Sequence, residues 1–250
     1  MRLQIAPGSS RNQWLIYQHD QELHQLLDGV LEADASFVDL DDTIAACQAT
    51  DIIRRNVISG KHSLPDIVEL ISRRISCLGE EESVREKHWR WYKDEFIPNN
   101  GPIEKALVKR YTSKFARDRL FLGAAEVHQK RNKDARRYIV TRNNRIVAWA
   151  FAQALEFQGY HPSAFKKVKP IQRVIGHHLL MGRQIQRAVV YGNSRRDCEM
   201  VHALGAARIP TVGVYVTSEP CHDPGIMNAF QIQVSRNDQR LLANYLKNRA

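Results

Sequence analysis

The second half of this sequence alternates between short apolar runs and amphipathic segments, and this alternation limits the fold more than any other feature. After residue 137, three runs have the composition of buried strands: "YIVT", "AVVYGNS" and "TVGVYV". Three other segments have helical periodicity: "RIVAWAFAQALEFQG", "IQRVIGHHLLMG" and "RDCEMVHALG". Strands that alternate with helices form parallel sheets with helices on both faces. The sequence therefore predicts an α/β protein, with Gly159 as the C-terminal cap of the first of these helices.

The stretch "SFVDLDDTIAA" (36–46) places three aspartates directly behind an apolar pair. The apolar pair predicts a further short buried strand, and the leucines of 21–31 predict a helix before it. After the aspartates we expect the chain to enter a helix near Thr43, whose free N–H groups would favour a phosphate. In a parallel sheet the site lies at the carboxyl ends of the strands. The aspartates, Thr141 and the "GNSRRD" turn are therefore expected to converge.

The residues at these strand ends suit phosphoryl transfer. A carboxylate such as Asp39 can attack phosphorus and form an aspartyl phosphate, which divides one difficult displacement into two easier steps. Asp41 lies two residues further on, can face the same centre, and can act there as general acid and base. Thr141 offers a hydroxyl donor, and Lys169 offers positive charge for the phosphoryl oxygens and the nucleophile.

The same edge of the sheet offers oxygen ligands for a metal ion. Magnesium prefers oxygen ligands and commonly binds one or two carboxylates together with substrate phosphate. Asp39, Asn193 and Asp197 have the side chains for such a site.

Each of these residues also has an ordinary structural interpretation when it is taken alone. Asp42 or Thr43 can serve only as a helix N-cap, and Ser194 can cap the helix that follows its turn. A threonine at a strand end is common, and a lysine such as Lys169 is usually on the surface. The order of these residues at successive predicted strand ends favours a common site instead.

This order of motifs resembles that of the haloacid dehalogenase superfamily, most of whose members are magnesium-dependent phosphohydrolases. "FVDLDDT" matches the first motif, an apolar strand followed by DxDxT, and "YIVT" matches the second, a strand that ends in Thr or Ser. Lys169 and Pro170 match the third motif, and "VVYGNSRRD" matches the fourth, GDxxxD or a variant. The resemblance covers about 36–46 and 137–217, and it implies a Rossmann-like parallel sheet core with helices on both faces.

The resemblance also implies a role for each matching residue. Asp39 would be the nucleophile, and Asp41 would be the general acid and base with its carbonyl oxygen on the metal. Thr141 and Lys169 would hold the phosphoryl group. Apart from the resemblance, the position of Arg142 directly after Thr141 makes it a candidate substrate contact. An acid at position 41 favours phosphatase or phosphomutase chemistry.

Asn193 and Asp197 would complete the magnesium site. Asn193 departs from the family's commonest pattern, which has Asp at that position. An amide oxygen binds magnesium without the full negative charge of a carboxylate, so the departure bears on metal affinity more than on the type of reaction.

Between the first two motifs the sequence is helical in character throughout, from residue 44 to about 131. This block matches the cap that the family inserts after its first strand. The predicted domains are therefore an α/β core (1–46 and 132–250) and an inserted α-helical cap (47–131).

Composition limits the surroundings and partners of the protein. The sequence is 43% hydrophobic and contains no window as apolar as a membrane span. Its four cysteines are scattered, without a CxxC pair, which favours a reducing cytoplasm over a disulfide framework. The formal net charge of +10 favours polyanionic partners, including nucleic acid.

The sequence thus predicts a magnesium-dependent phosphatase that cleaves a small phosphomonoester through an aspartyl-phosphate intermediate. Two alternatives follow from the positive charge: a phosphatase that acts on nucleic-acid ends, and a catalytically weak relative that binds nucleic acid. A binding protein would show steep, salt-dependent affinity for polyanions and no turnover.

Overall fold

A mixed sheet of eight strands organises the protein, for which we use a computed structural model. The structure describes residues 3–18, 22–46, 113–128, 135–143, 145–162 and 166–249. The strands are β1 (Leu3–Ile5), β2 (Leu15–Gln18), β3 (Ala35–Val38), β4 (Arg136–Val140), β5 (Gly159–His161), β6 (Ala188–Gly192), β7 (Thr211–Thr217) and β8 (Ile232–Ser235). The helices are α1 (Leu23–Leu31), α2 (Ser113–Asp118), α3 (Ala124–Val127), α4 (Arg145–Ala154), α5 (Val168–Leu180), α6 (Cys198–Ala206), α7 (Pro224–Met227) and α8 (Arg240–Arg249), and a 3₁₀ turn covers Arg195–Asp197.

The strand order is β1-β2-β8-β7-β6-β3-β4-β5, so β3 lies near the middle of the sheet. Strands β3 to β8 pair in parallel, and the N-terminal strands β1 and β2 add antiparallel to the β8 edge. The chain runs from β3 outward through β4 to β5 and then returns to β6, on the other side of β3. This reversal is the switch point at which parallel sheets place their sites. The predicted α/β fold class is confirmed.

Hydrophobic residues cover both faces of the sheet, as a parallel sheet requires. On one face, α1, α4 and α8 pack against residues such as Val38 and Ile139. On the other face, α5, α6 and α7 pack against residues such as Phe37 and Val190. Successive residues of one strand thus pack against the helices of opposite faces. Because both faces are buried, the strands are continuous apolar runs in the sequence.

Gly159 is not the helix cap that the sequence suggested. Helix α4 ends at Ala154, and Glu156 takes the left-handed conformation at a φ of 56°. Gly159 begins edge strand β5 instead, where a Cβ would lie 2.8 Å from Cδ1 of Tyr138. The glycine therefore makes room for the neighbouring tyrosine ring.

Part of the block assigned to the cap lies within the described residues. Residues 113–128 contain α2 and α3, which pack with α4 and α8, respectively. Ala116, Ala124 and Val127 belong to the same hydrophobic cluster as the sheet. This segment therefore packs with the core, and the other residues of the predicted cap, 47–112 and 129–131, lie outside the described part.

Leu120 and Leu122 form isolated bridges, to Ala45 and Asp238 respectively. The chain is therefore not helical between α2 and α3, although the sequence predicted helix throughout this region. Within the described ranges, no helix combines the length and apolar character needed to cross a membrane.

Candidate active site

The ends of β3, β4 and β6 bring the predicted site residues to one edge of the sheet. Asp39 follows β3, and its N–H donates to the carbonyl of Tyr191 at 3.0 Å. Thr141 follows β4, and its N–H donates to the carbonyl of His161 at 3.1 Å. Asn193 follows β6. The sheet ladder thus continues one residue past β3 and β4 and fixes the backbone of both Asp39 and Thr141.

The chain turns sharply after Asp39 and does not enter the helix expected near Thr43. Residues 42–44 form a turn, and Asp41 and Ala45 form a bridge across it. The N–H of Asp42 donates to the carbonyl of Ala45 at 3.0 Å, and Asp42 is left-handed at a φ of 58°. The row of free helical N–H groups that the sequence suggested for phosphate is therefore absent from residues 39–46.

Lys167, and not Lys169, meets the aspartates. Lys167 Nζ lies 2.6 Å from Asp39 Oδ1 and also bonds Asp197 Oδ1. Both aspartates and the lysine are buried. Lys169 is exposed on α5, so the structure contradicts its predicted position beside the phosphoryl group.

The start of α5 explains the difference between the two lysines. Lys167 immediately precedes the helix and lies four residues before Ile171, which is fully buried. Residues four apart on a helix share a face, whereas residues two apart do not. Pro170 falls within the first turn of α5, where proline is tolerated. The Lys-Pro pair therefore marks the helix start, and the lysine two residues earlier enters the site.

Burial and neighbouring charges act together on Asp39 and Lys167. Burial raises the pKa of Asp39 and the negative charge of Asp197 adds to this, while Lys167 opposes it, so the pKa rises to about 6. Burial lowers the pKa of Lys167, but Asp197 and Asp39 outweigh it and hold that pKa above its ordinary value. Lys167 therefore remains a cation, and Asp39 changes protonation within a mildly acidic range.

Asp197 is fully buried, and protein donors occupy both of its oxygens. Oδ2 accepts from the N–H of Asn193 at 2.8 Å and from the N–H and hydroxyl of Ser194, each at 2.9 Å. Oδ1 faces Lys167. Gly192 permits this close approach, since a Cβ there would lie 2.4 Å from Cβ of Asp197.

Asp41 is held by a residue that the sequence analysis did not identify. Asn143 Nδ2 donates to Asp41 Oδ1 at 2.8 Å, and the N–H of Asn143 donates to Thr141 Oγ1 at 3.0 Å. Thr141 and Asn143 are buried, whereas Arg142 between them is exposed. Arg142 therefore lies at the outer surface of this loop, next to the residues that face Asp41.

A second unpredicted residue holds the segment that carries Lys167. Glu199 in α6 accepts the N–H of Lys167 through Oε2 at 2.9 Å. Glu199 lies two residues after Asp197, so one short stretch of chain contacts both ends of Lys167.

Several solved structures are similar to this chain. A cytosolic 5'-nucleotidase IIIB bound to cytidine matches with a TM-score of 0.58 and 11% identity, covering 94% of each chain. A haloacid dehalogenase-like hydrolase from Streptococcus pneumoniae matches with a TM-score of 0.43 and 17% identity, over 85% of this chain and 98% of that one. One from Bacteroides fragilis matches with a TM-score of 0.46 and 14% identity, over 84% of this chain and all (100%) of that one. No protein-family model and no curated protein matches the sequence.

The chain shares its fold with the cytosolic 5'-nucleotidase. The resemblance expected from the order of motifs is confirmed at the level of the fold. The first, second and fourth motifs lie at adjacent strand ends, as the sequence predicted. The lysine of the third motif is displaced by two residues relative to the predicted position.

The magnesium site that the sequence predicted requires oxygen donors at these strand ends. Asp39 Oδ2 accepts from Thr43 Oγ1 at 3.5 Å, which is the long limit of a hydrogen bond. The carbonyl of Asp41 and the amide oxygen of half-buried Asn193, at the ends of neighbouring strands, are further oxygen donors of the kind that magnesium prefers. Asp197, enclosed by protein donors, does not fit the direct metal contact predicted for it.

This donor set contains a single carboxylate, and so it carries little charge. Among the residues that the structure describes, no three His, Cys, Asp or Glu side chains form a group able to hold a metal ion. A site of this kind depends on substrate phosphate for further ligands, which suits magnesium better than zinc.

Two contacts that were not predicted correspond to residue spacings that are visible in the sequence. Lys167 belongs to the buried stripe of α5 that continues through Ile171 and Val174, and this spacing would have favoured it over Lys169. Ser194 and Asp197 have the spacing of a capping box, and Asp197 does accept from Ser194. The contact between Asn143 and Asp41 joins residues distant in sequence, and no local pattern predicts it.

Proposed function

We propose that this chain is a magnesium-dependent phosphohydrolase that cleaves a phosphomonoester through an aspartyl-phosphate intermediate. The observation that carries the proposal is the contact of Lys167 Nζ with Asp39 Oδ1, at 2.6 Å, at the switch point of the sheet. A buried carboxylate beside a fixed cation, with a second acid two residues away, is the arrangement that phosphoryl transfer to a carboxylate requires.

The first step forms a bond between Asp39 and phosphorus and breaks the bond to the leaving oxygen. Asp41 gives its proton to that oxygen, so the product leaves as an alcohol. Lys167 bonds Asp39 Oδ1 and so leaves Oδ2 as the oxygen without a strong protein donor. The fixed positive charge of Lys167 opposes the charge that collects on the phosphoryl oxygens.

The second step hydrolyses the aspartyl phosphate. Asp41, now ionised, takes a proton from water as the water oxygen bonds to phosphorus, and the bond from phosphorus to Asp39 breaks. Phosphate leaves and Asp39 returns as a carboxylate. Thr141, at the end of β4, supplies a hydroxyl donor to the phosphoryl group in both steps.

Magnesium would be held by Asp39, the carbonyl of Asp41 and Asn193, and when bound it supplies positive charge to the phosphoryl oxygens. The proposed role of Asp197 is indirect: it accepts hydrogen bonds from Lys167 and from the backbone N–H of Asn193, and so it orients both residues.

The proposed substrates are small phosphomonoesters. A net charge of +10 favours anionic substrates in general, and the fold neighbour bound to cytidine is a 5'-nucleotidase. Nucleoside 5'-monophosphates therefore belong in the first substrate panel. Oligonucleotides with 5'-phosphate ends test the alternative of action on nucleic-acid ends, and salt-dependent binding without turnover would favour a binding protein.

The experiment measures phosphate release from this panel and from p-nitrophenyl phosphate, with magnesium and with EDTA. Asp39→Asn should abolish turnover, because it removes the attacking charge but almost no volume. Asp42→Asn is the matched control: Asp42 bonds Arg236 at 3.4 Å, away from Lys167, and asparagine tolerates its left-handed backbone. An Asp39→Asn protein with near-normal turnover would exclude the aspartyl-phosphate scheme.

A further inference from the structure

Asn143 joins the two loops that follow β3 and β4. Its side-chain amide donates to Asp41 Oδ1 at 2.8 Å, and its backbone N–H donates to Thr141 Oγ1 at 3.0 Å. Asn143 is only 4% exposed, whereas Asp41 is half-buried. A buried amide N–H without an acceptor is costly, so this contact fixes both partners.

The hydrogen bond from Asn143 favours one oxygen of Asp41 as the carrier of the proton. The carbonyl oxygen of a protonated carboxyl group is a better acceptor than its hydroxyl oxygen, so Oδ1 is favoured as the carbonyl oxygen when Asp41 is protonated. The acidic proton is then on Oδ2. The same bond persists when Asp41 is ionised, so it holds the carboxyl group through both steps of the reaction.

We propose that Asn143 is a positioning residue that holds Asp41 with Oδ2 toward the reacting oxygen. This inference rests on the proposed function. In the first step the proton on Oδ2 passes to the leaving oxygen as the bond from that oxygen to phosphorus breaks. In the second step Oδ2 takes a proton from the attacking water as the bond from phosphorus to Asp39 breaks.

The backbone bond to Thr141 makes the two loops one unit. Thr141 Oγ1 accepts from Asn143, which directs the lone pairs of the hydroxyl toward the loop and leaves its proton for a phosphoryl oxygen. This bond comes from the main chain, so replacement of the Asn143 side chain leaves it in place. A side-chain variant therefore isolates the contact with Asp41.

The test is a double-mutant cycle between Asn143→Leu and Asp41→Asn, with two substrates. One is p-nitrophenyl phosphate, whose leaving group needs little protonation, and the other is the best alkyl phosphomonoester of the substrate panel. General acid–base catalysis contributes about 10²–10⁴-fold, so loss of its orientation should lower kcat/KM for the alkyl ester by about 10-fold or more. Because kcat/KM reports the steps up to release of the leaving group, it excludes the hydrolysis step that the two substrates share, and kcat/KM for p-nitrophenyl phosphate should fall by less than about 3-fold.

In the Asp41→Asn background, Asn143→Leu should cause no further loss, because its effect passes through Asp41. If Asn143 had only a structural role, Asn143→Leu would lower kcat/KM equally for both substrates. Its effect would also add to that of Asp41→Asn. Either of those results overturns the inference. Asn143→Ala is measured in parallel because Asn143 is buried, and rates are normalised to the folded fraction by circular dichroism. Exposed Asn228, at the end of α7, provides the control Asn228→Ala.

The two proposals fail in distinguishable ways. A wild-type protein that turns over none of the esters refutes the proposed function and the role of Asn143 together. If the wild-type protein is active and Asn143→Leu lowers kcat/KM equally for both substrates, only the role of Asn143 is refuted.

Discussion

One buried cation, Lys167, binds Asp39 Oδ1 at 2.6 Å and also binds Asp197 Oδ1. The three side chains come from three separate segments: the end of β3, the start of α5 and the 3₁₀ turn after β6. With both aspartates ionised the group has one negative charge in excess. Burial raises the pKa of Asp39 to about 6, while Lys167 opposes the rise and Asp197 adds to it. The site therefore favours any additional positive charge, including a metal ion.

Lys167→Met should destabilise the fold and nearly abolish turnover. The change leaves Asp39 and Asp197 buried together without a cation, and loss of one partner of a buried ion pair typically costs about 3–5 kcal/mol. Loss of a fixed charge at the reacting group typically costs about 10²–10³-fold in kcat. Urea unfolding and phosphate release on the folded fraction measure the two effects.

Lys169→Met is the matched control for that experiment. Lys169 is exposed two residues further along the same helix, so its replacement should change stability by no more than about 0.5 kcal/mol and leave turnover unchanged. If the Lys169 variant lost turnover while the Lys167 variant retained it, the assignment of the catalytic lysine would be reversed.

The sequence predicted the parallel part of the fold because strands buried on both faces are continuous apolar runs. Strands β4, β6 and β7 all correspond to such runs. The N-terminal strands β1 and β2 were not predicted, since they are short and partly exposed. Strand β2 pairs antiparallel with β8, which is more than two hundred residues away, and β1 pairs antiparallel with β2. Their place in the sheet depends on long-range contacts and not on local pattern.

The sequence predicted those site residues whose positions follow from the order of strands and helices. Asp39, Thr141 and Asn193 meet because parallel strands end at one edge of the sheet, and this follows from element order alone. The choice between Lys167 and Lys169 depends on which face of α5 is buried, and Ile171 and Val174 mark that face. The motif of a lysine followed by proline pointed to the other lysine. A shift of two residues moves a side chain to another face of the helix, and so it changed the identity of the lysine.

The pH dependence of stability should reveal the buried carboxyl group of Asp39. Its folded-state pKa is raised from 3.8 to about 6, so its protonated form is the one that favours folding. Its contribution to stability is complete below pH 3.8 and is lost as pH rises through about 6. A shift of roughly two units corresponds to about 3 kcal/mol.

Asp39→Asn removes this titration and leaves Lys167 paired with Asp197. In EDTA, the free energy of unfolding of Asp39→Asn relative to wild type should therefore rise by up to about 3 kcal/mol between pH 4 and pH 7. Urea unfolding at several pH values measures this difference, with Asp42→Asn as the control. A difference that stays constant with pH would contradict the raised pKa.

Gly192→Ala should disrupt the support of the site. The added Cβ would lie 2.4 Å from Cβ of Asp197, and Asp197 is fully buried with no space to move aside. Overpacking of this kind typically costs about 1–3 kcal/mol, and displacement of Asp197 should also lower turnover by shifting Lys167.

Gly176→Ala in α5 is the control, because its Cβ meets no atom within 4 Å and alanine is the better helix former by about 0.5–1 kcal/mol. Thermal unfolding should move in opposite directions for the two variants, and a stabilised Gly192→Ala protein would contradict the packing described here.

Asn193 should set how much magnesium the proposed turnover requires. Its backbone N–H donates to Asp197 Oδ2 at 2.8 Å, so replacement of the side chain leaves the turn intact. Asn193→Asp adds a second carboxylate to a donor set that has one, and the magnesium concentration for half-maximal rate should fall. Asn193→Leu removes the amide oxygen, and that concentration should rise by about 10-fold or more.

A structural role for the Asn193 side chain makes a different prediction. If the amide only stabilises the turn after β6, Asn193→Leu should lower the melting temperature and leave the magnesium midpoint of the remaining activity unchanged. A magnesium titration of phosphate release, normalised to the folded fraction, separates the two cases. Asp197→Asn is the reference variant for a structural effect. Asp197 is enclosed by Lys167 and Ser194, so its replacement should lower stability more than it shifts the magnesium midpoint. An unchanged midpoint in Asn193→Leu would remove Asn193 from the metal site and leave Asp39 and the carbonyl of Asp41 as its protein ligands.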